Sequence, residues 1–172
     1  MTRSSRIAIA SLAASAAAFV GILSHEGYSE KAYPDPTYGT KVPTAGFGST
    51  GPDITMQTRL PPVQAAQRAL RDVQKFEGHL KGCIKVPLSQ AEYDGYVSLA
   101  YNIGPSAFCK SGIVRELNHG NYRAACTQIL RWKYSNGHDC SQSSKCKGLW
   151  VRRVNEYQQC WRAVDAVDGT LK

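Results

Sequence analysis

"SHEGYSEKAYPDPTYGTKVPTAGFGST", residues 24–50, decides how the chain is read. An apolar, Ala-rich stretch ends just before it. An acid, Glu26, follows at once; a second acid, Asp35, stands nine positions on, and a hydroxyl, Thr44, nine further. Pro34, Pro36 and Pro43 with the Gly and Thr residues between them exclude a helix over 30–52 and predict short strands and turns. Cleaving a glycosidic bond needs one acid to protonate the leaving oxygen and one carboxylate to activate water or attack carbon. Glu26, at the end of an apolar helix, is placed where burial favours its protonated form. Asp35, between two prolines, sits on a rigid extended turn, and Thr44 offers a hydroxyl that can hold a water. Gly46 and Gly48 let backbone pass close to a substrate. Spacing alone equally allows a solvated turn with a surface Glu and Asp.

The chain of 172 residues is one domain of ordinary size, and 42% hydrophobic against 20% charged residues excludes a disordered chain. A net charge of +8 suits an anionic partner: nucleic acid, a membrane face or a wall polymer. Six cysteines, at 83, 109, 126, 140, 146 and 160, show no paired metal spacing, so no metal is expected and a disulfide framework in an oxidising compartment is. The expected pairing is Cys140–Cys146 as a short local loop, with Cys83–Cys109 and Cys126–Cys160 as longer staples; reduced thiols are the alternative.

Residues 1–23 form an N-terminal segment distinct from the domain at 24–172. Arg3 and Arg6 precede 17 uncharged residues, Ile7 to Leu23, at the lower limit for a bilayer-spanning helix. Arginines before the segment keep its start cytoplasmic and put the rest of the chain across the inner membrane, where disulfides form. The segment reads either as an uncleaved signal anchor or as a signal peptide cut near Ala14-Ser15-Ala16 or Ala16-Ala17-Ala18. An anchor so poor in Leu and Ile would hold the bilayer weakly and could leave it to become a helix of the soluble protein.

Helices are expected from Pro61 through Leu80, with Val63, Ala66, Leu70, Val73 and Phe76 as the apolar face. Another starts at a capping box of Ser89 and Glu92 and carries Tyr93, Tyr96, Val97, Ala100 and Tyr101 on one face. A short one is capped by Ser111 and stopped by Gly120; two more cover 122–134 and 148–164. The fold class is α+β, with a small N-terminal β-sheet and a mainly helical body.

"HEGYSEKAYPD" followed by "TAGFGST" resembles the catalytic opening of the phage-type lysozymes, glycoside hydrolase family 24. That family reads Glu, eight residues, Asp, five residues, Thr, then Gly-x-Gly. Here eight residues separate Asp35 from Thr44, which reads as a longer hairpin tip over Tyr38–Pro43. "PLSQAEYDGYVSLAYNIGPSAFCKSGIVRELNHGNY" and "GLWVRRVNEYQQC" are similar to the family's central and closing helical blocks. The resemblance implies a lysozyme-like fold and an endolysin that hydrolyses the β-1,4 bond between N-acetylmuramic acid and N-acetylglucosamine in peptidoglycan, without a cofactor. It implies Glu26 as general acid, Asp35 positioning the nucleophilic water and Thr44 orienting it. The weak anchor resembles the signal-anchor-release subgroup, tethered at the host inner membrane and then free in the periplasm. No cysteine precedes Cys83, so a redox switch within the anchor is excluded.

Tyr33, Tyr101 and Asn102 are candidates to line a sugar cleft, against core packing for the tyrosines. Glu30 reads as an ion-paired or solvated neighbour, Arg152 and Arg153 as ion-pair formers, and Trp132, Trp150 and Trp161 as core. The run 131–148, with two cysteines, reads as a disulfide-closed surface loop at the substrate rim. The enzyme is expected to be a monomer that does not bind nucleic acid. The rival readings are a lytic transglycosylase, for which Asp35 has no role, and a non-catalytic cationic membrane- or wall-binding protein.

Overall fold

The computed structural model describes residues 5–35 and 39–169. Two compact units divide the chain: residues 16–76, and the segment ending at Ser15 joined with the chain from Glu77 onward.

The first unit holds the sheet. Helix α1, Ala16–Glu26, buries Ile22 and stops where Gly27 takes a left-handed backbone, φ 71°. Strands β1, Ser29–Asp35, and β2, Gly39–Gly46, pair antiparallel. The backbone of 58–60 lies along the other edge of β1, with Ala32 N–H donating to Thr58 O and Leu60 N–H to Glu30 O. Tyr33 opposes Thr44 and Pro34 opposes Pro43, but Asp35 opposes Gly39. Thr40, Lys41 and Val42 therefore bulge from β2 with nothing opposite them. This corrects the reading of Tyr38–Pro43 as a longer tip: the extra length sits in a bulge, and Gly39–Pro43 belongs to the strand. Tyr38, with 36 and 37, lies outside the described residues.

Helix α2, Pro62–Cys83, begins on Pro61-Pro62 as expected, but its apolar stripe is only partly its buried face. Val63 is 70% exposed and Leu70 43%, whereas Ala65, Arg68, Ala69, Asp72 and Val73 are buried. The reason is close approach: a Cβ on Gly46 would stand 3.0 Å from Ala65 Cβ, so the helix packs through its small side chains. Arg68 then turns inward. It pairs with Asp53 and Asp72 and donates to Thr50 O at 2.8 Å, tying the loop after β2 to the helix.

The second unit is helical. Its N-terminal segment is held by polar contacts rather than by a long apolar face. Ile7 and Leu88 exchange both backbone hydrogen bonds. Arg6 bonds buried Glu92 at 2.7 Å and Asp168 at 2.8 Å and lies 3.5 Å over the Tyr122 ring. Ser15 bonds Asp94 through its amide and its hydroxyl, and Ala14 N–H donates to Glu77. Among the described residues no helix is long and apolar enough to cross a membrane.

Helix α3, Gln90–Ile103, starts on the expected capping box. It buries Tyr93, Tyr96, Val97 and Ala100, and Tyr101 is half-buried. A short α4, Pro105–Cys109, carries buried Phe108 against Tyr96. Helix α5, Gly112–Asn118, is capped by Ser111, and α6 spans Tyr122–Ile129. Helix α6 ends five residues before Tyr134, where the sequence reading carried it. There β3, Tyr134–Ser135, turns through Asn136 and Gly137, both at positive φ, into β4, His138–Asp139. Positive φ at both turn positions is what an Asn-Gly hairpin requires. Helix α7, Lys147–Asp168, completes the unit. The three tryptophans are half-buried, not core; Tyr93, Tyr96 and Phe108 take that place. All six cysteines pair as expected, Cys83–Cys109, Cys126–Cys160 and Cys140–Cys146, all in this unit.

Candidate active site

Glu26, Tyr33, Asp35 and Thr44 all belong to the sheet-bearing unit. Glu26 is the last residue of α1, half-buried. Its carboxylate lies against Gly48, where a Cβ would meet Oε2 at 3.2 Å, and Gly48 holds φ 76°. A side chain at 48 would thus both strain the backbone and push the acid away. Reciprocal backbone bonds between Ala45 and Ser49, 3.0 and 2.9 Å, close the turn that presents Gly48. Phe47 packs against Tyr28 with the rings tilted by 42° and their centroids 5.3 Å apart, and the Tyr28 hydroxyl donates to Leu60 O.

Asp35 ends β1 and stands beside the bulge; Thr44 opposes Tyr33 across the hairpin. Tyr33 reports on both acids. Burial first, then the negative charges of Glu26 and Asp35, raise its phenol above the ordinary tyrosine value. Thr44 is 5% exposed, and its hydroxyl has no hydrogen-bond partner among the described residues. A buried hydroxyl left without any partner costs about 1–3 kcal/mol, so such a group is ordinarily met by an ordered water or a ligand. The Ser49 hydroxyl, five residues on, is also buried and has no hydrogen-bond partner among the described residues. Sequence reasoning missed Ser49; its only signal is its place directly after Gly48.

The phage lysozyme family model matches residues 23–156, which covers this site and most of both units. The chain belongs to the phage lysozyme family. It is 36% identical over 112 residues to the endolysin of Salmonella phage P22, spanning 63% of this chain and 75% of that one. Over 150 residues it is 33% identical to the SAR-endolysin of Pseudomonas phage phiKMV, 86% of this chain and 88% of that one. Among solved structures, the endolysin of Escherichia coli O157:H7 phage FAHEc1 superposes with a TM-score of 0.71 at 30% identity, covering 87% and 94% of the two chains. This phage lysozyme is a muramidase endolysin, a glycoside hydrolase of host cell lysis, with the lysozyme-like fold.

The remaining candidates of the lysozyme separate. Glu30 is exposed, 3.8 Å from Arg59, an ion-paired neighbour as expected. Tyr101 and Asn102 lie on α3 in the helical unit, and Asn102 accepts a hydrogen bond from Arg153 at 2.8 Å. Arg153, fully buried, also meets Glu156 at 3.0 Å, and Arg152 meets the same carboxylate at 3.1 Å. Arg152 and Arg153 thus form ion pairs, as their sequence context suggested.

Proposed function

We propose that Glu26 protonates the glycosidic oxygen, that Asp35 holds and activates the attacking water, and that Thr44 orients that water through its hydroxyl. Residues 24–172 are the catalytic domain in this reading, and it acts on peptidoglycan as a monomer. The observation that supports it most is the buried Thr44 hydroxyl, without a hydrogen-bond partner among the described residues, opposite Tyr33, whose phenol is raised first by burial and then by the charges of both acids. In a single displacement one carboxyl must be protonated and the other not, so the rate should be bell-shaped in pH. The test is digestion of purified peptidoglycan, with the sugar products weighed by mass spectrometry. Glu26→Gln and Asp35→Asn should each lower the rate by roughly two or more orders of magnitude. Fragments lighter by one water would instead make the enzyme a transglycosylase and leave Asp35 without its role. Lysis that survives Glu26→Gln would make the chain a cationic binding protein.

Residues 1–23 serve, in the same reading, as a signal anchor that tethers the enzyme to the inner membrane and later joins the folded protein in the periplasm. The phiKMV relative is a SAR-endolysin, and the 5–15 segment here is bound by Arg6, Ser15 and Ala14 to the helical unit. Those contacts cannot form while the segment spans a bilayer. Glu26 lies only three residues beyond Leu23, so the tether would pin the acid at the membrane. The membrane fraction should therefore be nearly inactive on wall fragments and the released chain active; equal activities in the two would sink this topological control.

A further inference from the structure

Three helices of the helical unit meet around the Arg6 side chain. Glu92, in the first turn of α3, has no exposed side-chain surface. Its carboxylate is already fixed by the capping box, where it accepts the Ser89 N–H at 2.8 Å. Asp168 ends α7. Tyr122 begins α6, and its ring is held by the hydroxyl, which donates to Pro87 O at 3.0 Å. Arg6 Nε and Nη2 both donate to the Glu92 carboxylate, at 3.0 and 2.7 Å, and Nη1 donates to Asp168 at 2.8 Å. The guanidinium carbon lies 3.5 Å from the centre of the Tyr122 ring. A cavity of about 310 Å³, lined in part by Tyr122 and Asp168, opens beside it. Arg123, in the same lining, is paired with Asp165 at 2.7 Å.

We propose that Glu92, Asp168 and Tyr122 form a guanidinium-binding site in its own right, filled in cis by Arg6 and open to a guanidinium compound from solution when that side chain is withdrawn. The walls do not depend on their occupant. The capping box sets Glu92, the bond to Pro87 sets Tyr122, and the Cys126–Cys160 bridge joins α6 to α7. The recess is selective by shape. Two carboxylates take the edges of a planar fork while the ring takes its face; an ammonium has no plane to stack and meets that arrangement only in part. A buried carboxylate that has lost its cation is strongly destabilised, which favours capture of another. The guanidinium is also the main local anchor of the segment that bears it. Ile7 exchanges two backbone hydrogen bonds with Leu88, at 2.9 and 3.0 Å, yet is itself 45% exposed, so little apolar burial holds it there. The site is independent of which bond the enzyme cuts.

The test uses the full chain with its disulfides formed. Methylguanidinium and methylammonium are titrated at millimolar concentration and equal ionic strength into wild type and Arg6→Ala, with the backbone amides of Glu92, Tyr122 and Asp168 followed by NMR. In Arg6→Ala, methylguanidinium should shift these amides saturably and raise the lowered melting temperature, and methylammonium should bind about tenfold more weakly. In wild type, whose site is filled, neither cation should shift them. Amide exchange at Ile7 and Leu88 should be about tenfold faster in Arg6→Ala than in wild type. The proposal is overturned if methylguanidinium gives no saturable shift in Arg6→Ala, if the two cations bind alike, or if wild type responds as the variant does. Should Arg6→Ala not fold, Arg6→Lys carries the test. Its Ile7 and Leu88 amides should exchange about threefold faster than those of wild type, and an unchanged rate would mean that any cation serves, which overturns the site's selectivity.

Discussion

Thr44 sets stability against activity within one side chain. Its hydroxyl is buried and has no protein hydrogen-bond partner among the described residues. Thr44→Val keeps the shape and removes the orphan, and should raise unfolding free energy by about 1 kcal/mol in denaturant titration. The same variant should lose at least about tenfold in wall hydrolysis, with Thr44→Ser recovering most of it. A Thr44→Val enzyme as active as wild type would remove the water-orienting role. The proposed roles of Glu26, Asp35 and Thr44 come from the resemblance of residues 24–50 to the phage-type lysozymes, since two acids nine residues apart also fit a solvated turn. Ser49 was not legible, since nothing in a lone serine says that its hydroxyl will be buried without a partner. The Glu26–Gly48 contact was legible only in part: glycine signals close approach but not what approaches.

Elements were read well where the signal is local and poorly where packing decides. The Ser89–Glu92 box and the Ser111 cap define helix starts through their own hydrogen bonds, and both stand where expected. The inner face of α2 depended instead on Gly46 and on Arg68 reaching Asp53 and Asp72, which no periodicity reveals. Asn136-Gly137 was a local signal passed over, because the preceding helical pattern ran into it. That hairpin carries an acid-sensitive pair. The Lys133 ammonium, with the Ser141 hydroxyl behind it, lowers Asp139 to about 2. A carboxyl whose pKa is depressed in the folded state stabilises above its unfolded value and loses that contribution as pH falls through the folded one. The stabilisation is thus full above about pH 4 and fades toward about pH 2. Melting temperature should fall more steeply over that interval in wild type than in Lys133→Met, whose Asp139 lacks its cation. Parallel curves for the two proteins would show that the pair contributes nothing.

The whole molecule distributes its covalent constraint unevenly, and this sets how it fails under reduction. All three bridges lie in the helical unit; the unit carrying Glu26, Asp35 and Thr44 has none. That they form bridges was legible from an even cysteine count without metal spacing, and sequence proximity suggests Cys140–Cys146; nothing in the sequence alone selects Cys83–Cys109 and Cys126–Cys160. Sequence separations of 34, 26 and 6 residues imply unequal effects. In the chain-entropy account a closed loop restricts the unfolded chain more as it lengthens. Cys126–Cys160 should therefore contribute about 4 kcal/mol, Cys83–Cys109 about 3.5 and Cys140–Cys146 about 2. Cys126 is fully buried beside the α6–α7 packing, and the Tyr96 hydroxyl lies 3.3 Å from Cys160 Sγ, so opening that bridge also disturbs the core. Paired Cys→Ala variants, unfolded in urea without reductant, should rank in that order, with the 126/160 pair the least stable. A 140/146 variant as damaged as the 126/160 one would mean that the small loop acts through native contacts around β3 and β4 rather than through the unfolded chain.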